Sequence, residues 1–553
     1  VATTASALRA LERLRDSYDA HSAGKKLALL RVLAHARFRS ATSVLRWHEA
    51  LCFLRAYPDS PRVLASVERA LAAFGERADL RRHAAELPNS GVAGTEIWYP
   101  FFWPMAAWLA ERFPAQLKLD RDDAEASERI ARVLPLLVSD AEAAWLRAAQ
   151  PDGFAALERI RPRQTTDATF FVKRIGRLPG DTYTREAFHD SVEPSYILAP
   201  SPRTPARTHA KRAVGPIVFQ RRPLGRTRPD LRRELARAPE RVQTVSASDG
   251  RAFVELARSA MVTRERDLDA FTYGDARDVR IVHDGGGLAF MLNGVLPERR
   301  ALLPAIFGAL TLRNGVPIGY IQLDVIGALA ELSFNTFETF RGGEAAYTFA
   351  RMLALARHVC GASSFSIEPY QLGKNNKEGI ASGAWWFYYK LGFAPRAAAG
   401  RKLARRELEE MIANPAHRSS EATLHQLAEH HLFFDLDPSR PVDAPPLARI
   451  GESVARALAL RGKGDRALAL EEAHATAMHA LGLKSLAGFN AEERRAWSRW
   501  APLVLTLPGV RRWRRAEKRA LVDIIRAKGA RSELVFLQRF ARHARLARAL
   551  LGQ

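Results

Sequence analysis

The spacing of apolar residues changes twice along this chain, and that restricts what it can fold into. Up to about residue 150, Leu, Val, Ala and Phe recur three and four apart, as in "SALRALERLRDSYDA" and "DSPRVLASVERALAAFGERADLRRHAAEL", which is the period of one helix face. Between about 241 and 400 the period shortens to two. There "DVRIVHDGGGLAFMLNGV" reads as strand, turn and strand, and "GALTLRNGVPIGYIQLDVIGALAELSFNTF" alternates around Asn314-Gly315, a hairpin signal. Helical spacing returns after 400 in "ARRELEEMIA", "SSEATLHQLAEHHLFF" and the tail. The expected fold class is α+β, a central mixed sheet with helices between N- and C-terminal all-helical regions. Four segments follow: a helical domain over 1–150, a basic Pro/Arg-rich connector with a few short strands or turns over 151–240, the mixed domain over 241–400, and a helical region with a basic tail over 401–553.

A chain of 553 residues has room for about three or four domains. Its 47% hydrophobic content is that of a globular protein rather than a disordered one. Apolar runs such as "APLVLTLPGV" are broken by Pro well short of the roughly 18 residues that a membrane span requires. The cysteines are Cys52 and Cys360, too few for a disulfide framework or a thiolate zinc site, and a cytoplasmic location is expected. A formal charge of +24 invites a polyanion. An Arg-, Ala- and Leu-rich composition of the kind a GC-rich coding sequence produces raises charge without any ligand, so the charge speaks to association and not to fold. The tail from Val510 combines basic residues with a Leu, Ile, Phe and Val stripe. That stripe is read first as a core-facing one, and secondarily as a face for RNA, a membrane surface or an acidic protein. In "HQLAEHHLFF" a helix would put His425 and Glu429 on one face, with His430 and His431 following, but two histidines one turn apart are lacking, and these are read as surface residues rather than metal ligands. His48-Glu49 is read as structural for the same reason.

The stretch "ASGAWWFYYKLGF", Ala381 to Phe393, is the most chemically suggestive. Ser382 offers an N-cap and Gly392 a stop, so a helix of two to three turns is expected. A tyrosine there can satisfy its hydroxyl locally or donate a proton to a leaving group. Ala384, Phe387, Tyr388, Lys390, Leu391, Gly392 and Phe393 resemble the last-helix motif of the GNAT superfamily of acyl-CoA-dependent N-acetyltransferases, with Ala381 where the family commonly has Asn. Upstream, "RGGEAA", Arg341 to Ala346, is similar to that family's pyrophosphate turn, with Glu344 where Gly is usual.

The resemblance implies a central GNAT-like fold using acetyl-CoA or another acyl-CoA as co-substrate and an amine-bearing acceptor, a small molecule, peptide or protein. It implies that Tyr388 protonates the departing thiolate and that Arg341, Gly342, Gly343, Glu344, Ala345 and Ala346 hold pyrophosphate. The strand "LAELSF" resembles the one that can carry the base, which makes Glu331 the first candidate, with Glu338, Glu344 and Glu368 as rivals. Tyr370, Gln371, Asn375 and Asn376 in "IEPYQLGKNNKEGIASG" either line an acceptor pocket or bond a surface turn. Two alternatives stand beside acyl transfer: a non-catalytic scaffold that binds nucleic acid or a protein through basic surfaces, and an aminoacyl-tRNA-dependent transferase of the same fold.

Overall fold

Asn314 and Gly315 form the two-residue turn that the alternating pattern predicts, both with positive φ (49° and 79°), the combination that suits the right-handed twist of a hairpin. The computed structural model describes residues 3–225 and 227–552, and the chain divides into two units. The first comprises Val1–Leu224, Ala252–Tyr273 and Leu312–Ile318; the second comprises Gly225–Arg251, Gly274–Thr311 and Gly319–Gln553.

In the first unit, helices Thr4–Leu14, Ala20–His35, Ala41–Ala56 and Pro61–Ala72 each start at a side chain that accepts a backbone N–H: Thr3, Asp19, Ser40 and Ser60. Their apolar stripes close around Leu11, Trp47, Leu51 and Phe74. Strands β1 (Ile97–Tyr99), β2 (Leu117–Leu119) and β3 (Tyr196–Leu198) pair antiparallel in the order β1-β3-β2. The stretch read as short strands or turns holds three helices, Gly153–Ile160, Asp167–Ile175 and Thr182–Asp190, capped by Asp152, Thr166 and Asp181. The caps, together with buried Leu157, Phe171 and Ile175, outweigh the scattered Pro and Arg. From 199 to 224 the chain has neither helix nor strand.

The second unit is built on strands β4 (Arg241–Thr244), β5 (Gly274–Gly285), β6 (Leu288–Val295), β7 (Ala305–Arg313), β8 (Val316–Ile326), β9 (Leu329–Thr336), β10 (Ser364–Ile367), β11 (Ala394–Pro395) and β12 (Leu432–Asp435), the Leu312–Ile318 tip of the β7–β8 hairpin being counted with the first unit. Their order in the sheet is β11-β12-β10-β9-β8-β7-β6-β5-β4. β4 to β9 are neighbours in chain order. β10 then returns parallel to β9 through the Ala345–Cys360 helix, and β12 lies antiparallel between β10 and β11.

Alternation sorts the side chains. Ile321, Leu323, Val325, Ala330, Leu332, Phe365, Ile367, Leu432 and Phe434 share one core with Phe349 and Leu353 of the helix and with Trp497, Trp500, Ile524 and Leu546 of the C-terminal helices. The 401–553 region therefore packs on the core of this same sheet, and it also supplies β12. The expected helix over "SSEATLHQLAEHHLFF" is corrected to Glu421–Leu427 followed by that strand. Leu432 and Phe434 alternate with half-buried neighbours and pair with β10, which a helix cannot satisfy. The aromatic helix runs over Ala384–Lys390 with Gly383, φ 64°, at its N-cap. Ser382 instead ends the preceding Lys377–Ala381 helix, its hydroxyl donating to the Gly379 carbonyl at 3.2 Å. Among the described residues no helix is long and apolar enough to cross a membrane.

Candidate functional site

On the sheet face opposite the core, cross-strand register puts Asp324 beside Glu331 and Gln322 beside Ser333 across β8 and β9, and Ser366 of β10 beside Glu331. The polar residues at period two thus form one patch. β9 and β10 pair only from Leu329 to Glu331 and Ser364 to Ser366. Beyond that the backbone pairing ends, β9 continuing to Thr336 while β10 stops at Ile367 and Pro369 opens a short helix, Pro369–Leu372. At this fork Glu368 accepts from the Ser333 hydroxyl at 3.3 Å. Glu331, with 39% of its side chain exposed, accepts from Ser366 at 3.3 Å and faces His431 Nε2 at 3.2 Å. The Gln322 amide donates to Asp324 at 3.2 Å.

The Glu331 charge disfavours ionisation of its neighbours Glu368 and Asp324. Burial, followed by the Glu331 charge, raises Glu368 above the ordinary glutamate range, the Ser333 bond and His431 opposing. Burial above all pushes Asp324 up to about 6, helped by Glu331, Glu368 and Glu533 and opposed by Gln322. The folded state therefore binds the Asp324 proton more tightly than the unfolded chain does. That stability is present below the unfolded pKa of 3.8 and is lost as pH rises through about 6. Asp324→Asn is accordingly expected to stabilise the protein by roughly 1–3 kcal/mol near neutral pH, with the gain shrinking towards pH 4. Urea unfolding at the two pH values measures the difference, and an equal effect at both would refute this origin.

Tyr388 lies in the aromatic cluster, 3% exposed, with Phe349, Phe387 and Phe393 at ring separations of 5.4, 5.1 and 6.0 Å. Burial, with a smaller contribution from the Tyr320 phenol, raises its pKa well above the ordinary tyrosine value, so the phenol keeps its proton. Tyr320 belongs to the same β8 row as Gln322 and Asp324. Tyr389 instead stacks on Trp385 at 4.9 Å.

The turn Arg341 to Glu344 leads into the Ala345–Cys360 helix. Gly342 holds φ 83° with nothing within 4 Å of where a side chain would begin. Glu344 is the N-cap residue, and its carbonyl accepts the Thr348 N–H at 2.8 Å. Ala345 and Ala346 are the first helical residues, whose N–H groups have no intrahelical acceptor. Arg341 donates to the Thr336 carbonyl at 3.0 Å and to Glu378 at 2.8 Å. Asn376 caps the Lys377–Ala381 helix through the Gly379 N–H and donates to the Tyr370 carbonyl at 3.0 Å. Asn375 supplies a positive φ of 54°, Gln371 is half-buried, and Tyr370 is 52% exposed.

Asp324, Ser333 and Ser366 were not singled out from the sequence, and His431 was read there as a helix-surface residue. The first two were legible as the polar positions of the hairpin, whereas His431 depended on recognising β12. Glu429 pairs with Lys374, and among the described residues no group of three or more His, Cys, Asp or Glu is arranged to hold a metal ion. Comparison with protein-family models, with curated proteins and with solved structures finds no match.

Proposed function

We propose that the second unit is a GNAT-like N-acyltransferase that moves an acyl group from an acyl-CoA, such as acetyl-CoA, to an amine within one ternary complex. The observation that carries this reading is the carboxyl cluster at the fork between parallel β9 and β10. A parallel pair that opens beside a helix N-terminus offers unpaired strand groups to the amide-bearing arm of CoA and helix N–H groups to its pyrophosphate. Glu331 holds the acceptor ammonium, and Glu368, with its raised pKa, takes the proton. The freed amine nitrogen then attacks the thioester carbonyl carbon, the carbon–sulfur bond breaks as Tyr388 gives its proton to the thiolate, and the second proton lost by the nitrogen returns to the Tyr388 phenolate. The amides of Gly343, Ala345 and Ala346 and the Arg341 guanidinium would meet the pyrophosphate.

Because Arg341 is already engaged by Glu378, phosphate binding has to displace that carboxylate. Calorimetric titration with CoA and acetyl-CoA tests the proposal. Unit stoichiometry is expected, with Arg341→Glu weakening affinity about tenfold to a hundredfold, the worth of a charged hydrogen bond, and Glu378→Gln strengthening it. Absence of binding at millimolar ligand would reject the CoA-dependent reading.

A further inference from the structure

The C-terminal helices carry a second surface with its own logic. The turn Val510–Arg512 leads into the Arg515–Lys528 helix, and the Glu533–Ala541 and Ala544–Leu551 helices follow. These pieces converge. Trp513 and His543 have ring centroids 5.5 Å apart, His543 Nε2 lies 2.9 Å from the Glu517 carbonyl, and the Arg545 guanidinium sits 5.9 Å from the Trp513 ring. Arg511, Arg512, Arg515, Arg519, Arg542 and Arg545 are all exposed around this junction. Among the described residues none of the six makes an ion pair, and the nearby Glu517 side chain is turned to the Arg514 backbone N–H at 2.8 Å. On the Ala398–Ala413 helix, by contrast, Arg405 and Arg406 are followed by Glu407, Glu409 and Glu410. Six uncompensated cations repel one another, which is tolerated where a polyanion neutralises them.

We infer that this surface binds the phosphate backbone of a double-helical nucleic acid. Two features select that partner. The apolar stripe of the tail, with Leu521, Ile524, Ile525, Leu546 and Leu550, is buried in the core, so no apolar face remains to enter a membrane as an interfacial helix does. The aromatic residues of the region, Trp513, Phe536 and Phe540, are buried as well, so the surface lacks the stacking platforms on which single strands are held. Charge alone is left, and charge alone recognises a duplex without regard to sequence.

Fluorescence anisotropy of the full chain with a labelled random-sequence DNA duplex, an RNA duplex and a single-stranded RNA, between about 50 and 300 mM KCl, tests this. Either duplex should bind more tightly than the single strand, with log K falling against log salt at a slope of about −5 if six phosphates are neutralised. The variant Arg511→Gln/Arg512→Gln/Arg515→Gln should lose about three units of that slope while its circular dichroism melt is unchanged. An unaltered slope in the folded variant, tighter binding of the single strand, no duplex binding at low salt, or preference for phosphatidylserine vesicles over duplex would each overturn the inference. Acyl transfer does not enter the readout, so this surface stands or falls apart from the catalytic proposal.

Discussion

Changing Glu368 to Gln is expected to slow acyl transfer by about 10²–10⁴-fold, the usual contribution of a positioned general base. The amide keeps the size of the side chain and its bond to Ser333 but cannot take a proton. With thiol release followed against a panel of primary amines, the loss should appear in kcat, because the group acts on the reacting nitrogen in the transition state. Glu331→Gln should instead raise KM for the amine, since a carboxylate that holds an ammonium acts already in the ground state. The wild-type rate should fall as pH drops through a pKa above the ordinary glutamate range, because the base is active only when deprotonated. Glu331→Gln should move that fall to lower pH, as the Glu331 charge is the largest influence after burial holding the Glu368 pKa up. A Glu368→Gln enzyme with wild-type kcat would remove this residue from the mechanism.

Asp284→Ala is expected to cost about 3–5 kcal/mol of stability, the loss seen when one member of a buried ion pair is removed. Asp284 of β5 and Arg351 of the Ala345–Cys360 helix are wholly buried and joined by two bonds of 2.7 Å. Arg351 also donates to the carbonyls of Glu234 and Arg237, so it fastens the helix that carries the Arg341 turn to both the sheet and the Leu231–Ala236 helix. Without the carboxylate the buried guanidinium keeps only the longer contact to Glu234, at 3.5 Å, as an anionic partner. Replacing both partners, Asp284→Leu with Arg351→Met, should recover part of the loss, since two apolar groups leave no charge behind. Urea unfolding of the four proteins closes the cycle, and a cost under about 1 kcal/mol for the single change would contradict the account.

The period of the apolar residues made the mixed sheet and the Asn314-Gly315 hairpin legible, because both rest on local chemistry. The parallel return of β10 was foreshadowed by a strand, a long helix and a second strand in succession. What local pattern concealed was β12. "HHLFF" has equal claims to helix and strand in isolation, and only pairing with Ser364–Ile367 decides between them. His431 was therefore assigned to a helix surface, although the strand puts it against Glu331. Glu331 and Glu368 were named from the chain, yet their different environments were not, since burial and mutual repulsion exist only once β8, β9 and β10 lie side by side. Ser382 looked like a cap on composition alone; the left-handed conformation of Gly383 starts the aromatic helix instead.

The strand order also bears on how this sheet comes into being. β8 and β9 meet through a short local turn, a closure that costs little chain entropy. β10 can join only after a long helix has folded back, and β12 must slot between β10 and β11 although β11 precedes it in the chain. Such remote pairings are the slow ones. Asp324 and Glu331 face each other within the quick hairpin, whereas Glu368 and His431 arrive with the late strands. An incompletely folded chain thus carries Asp324 and Glu331 without Glu368 or His431, and the carboxyl cluster is complete only once β10 and β12 have joined the sheet.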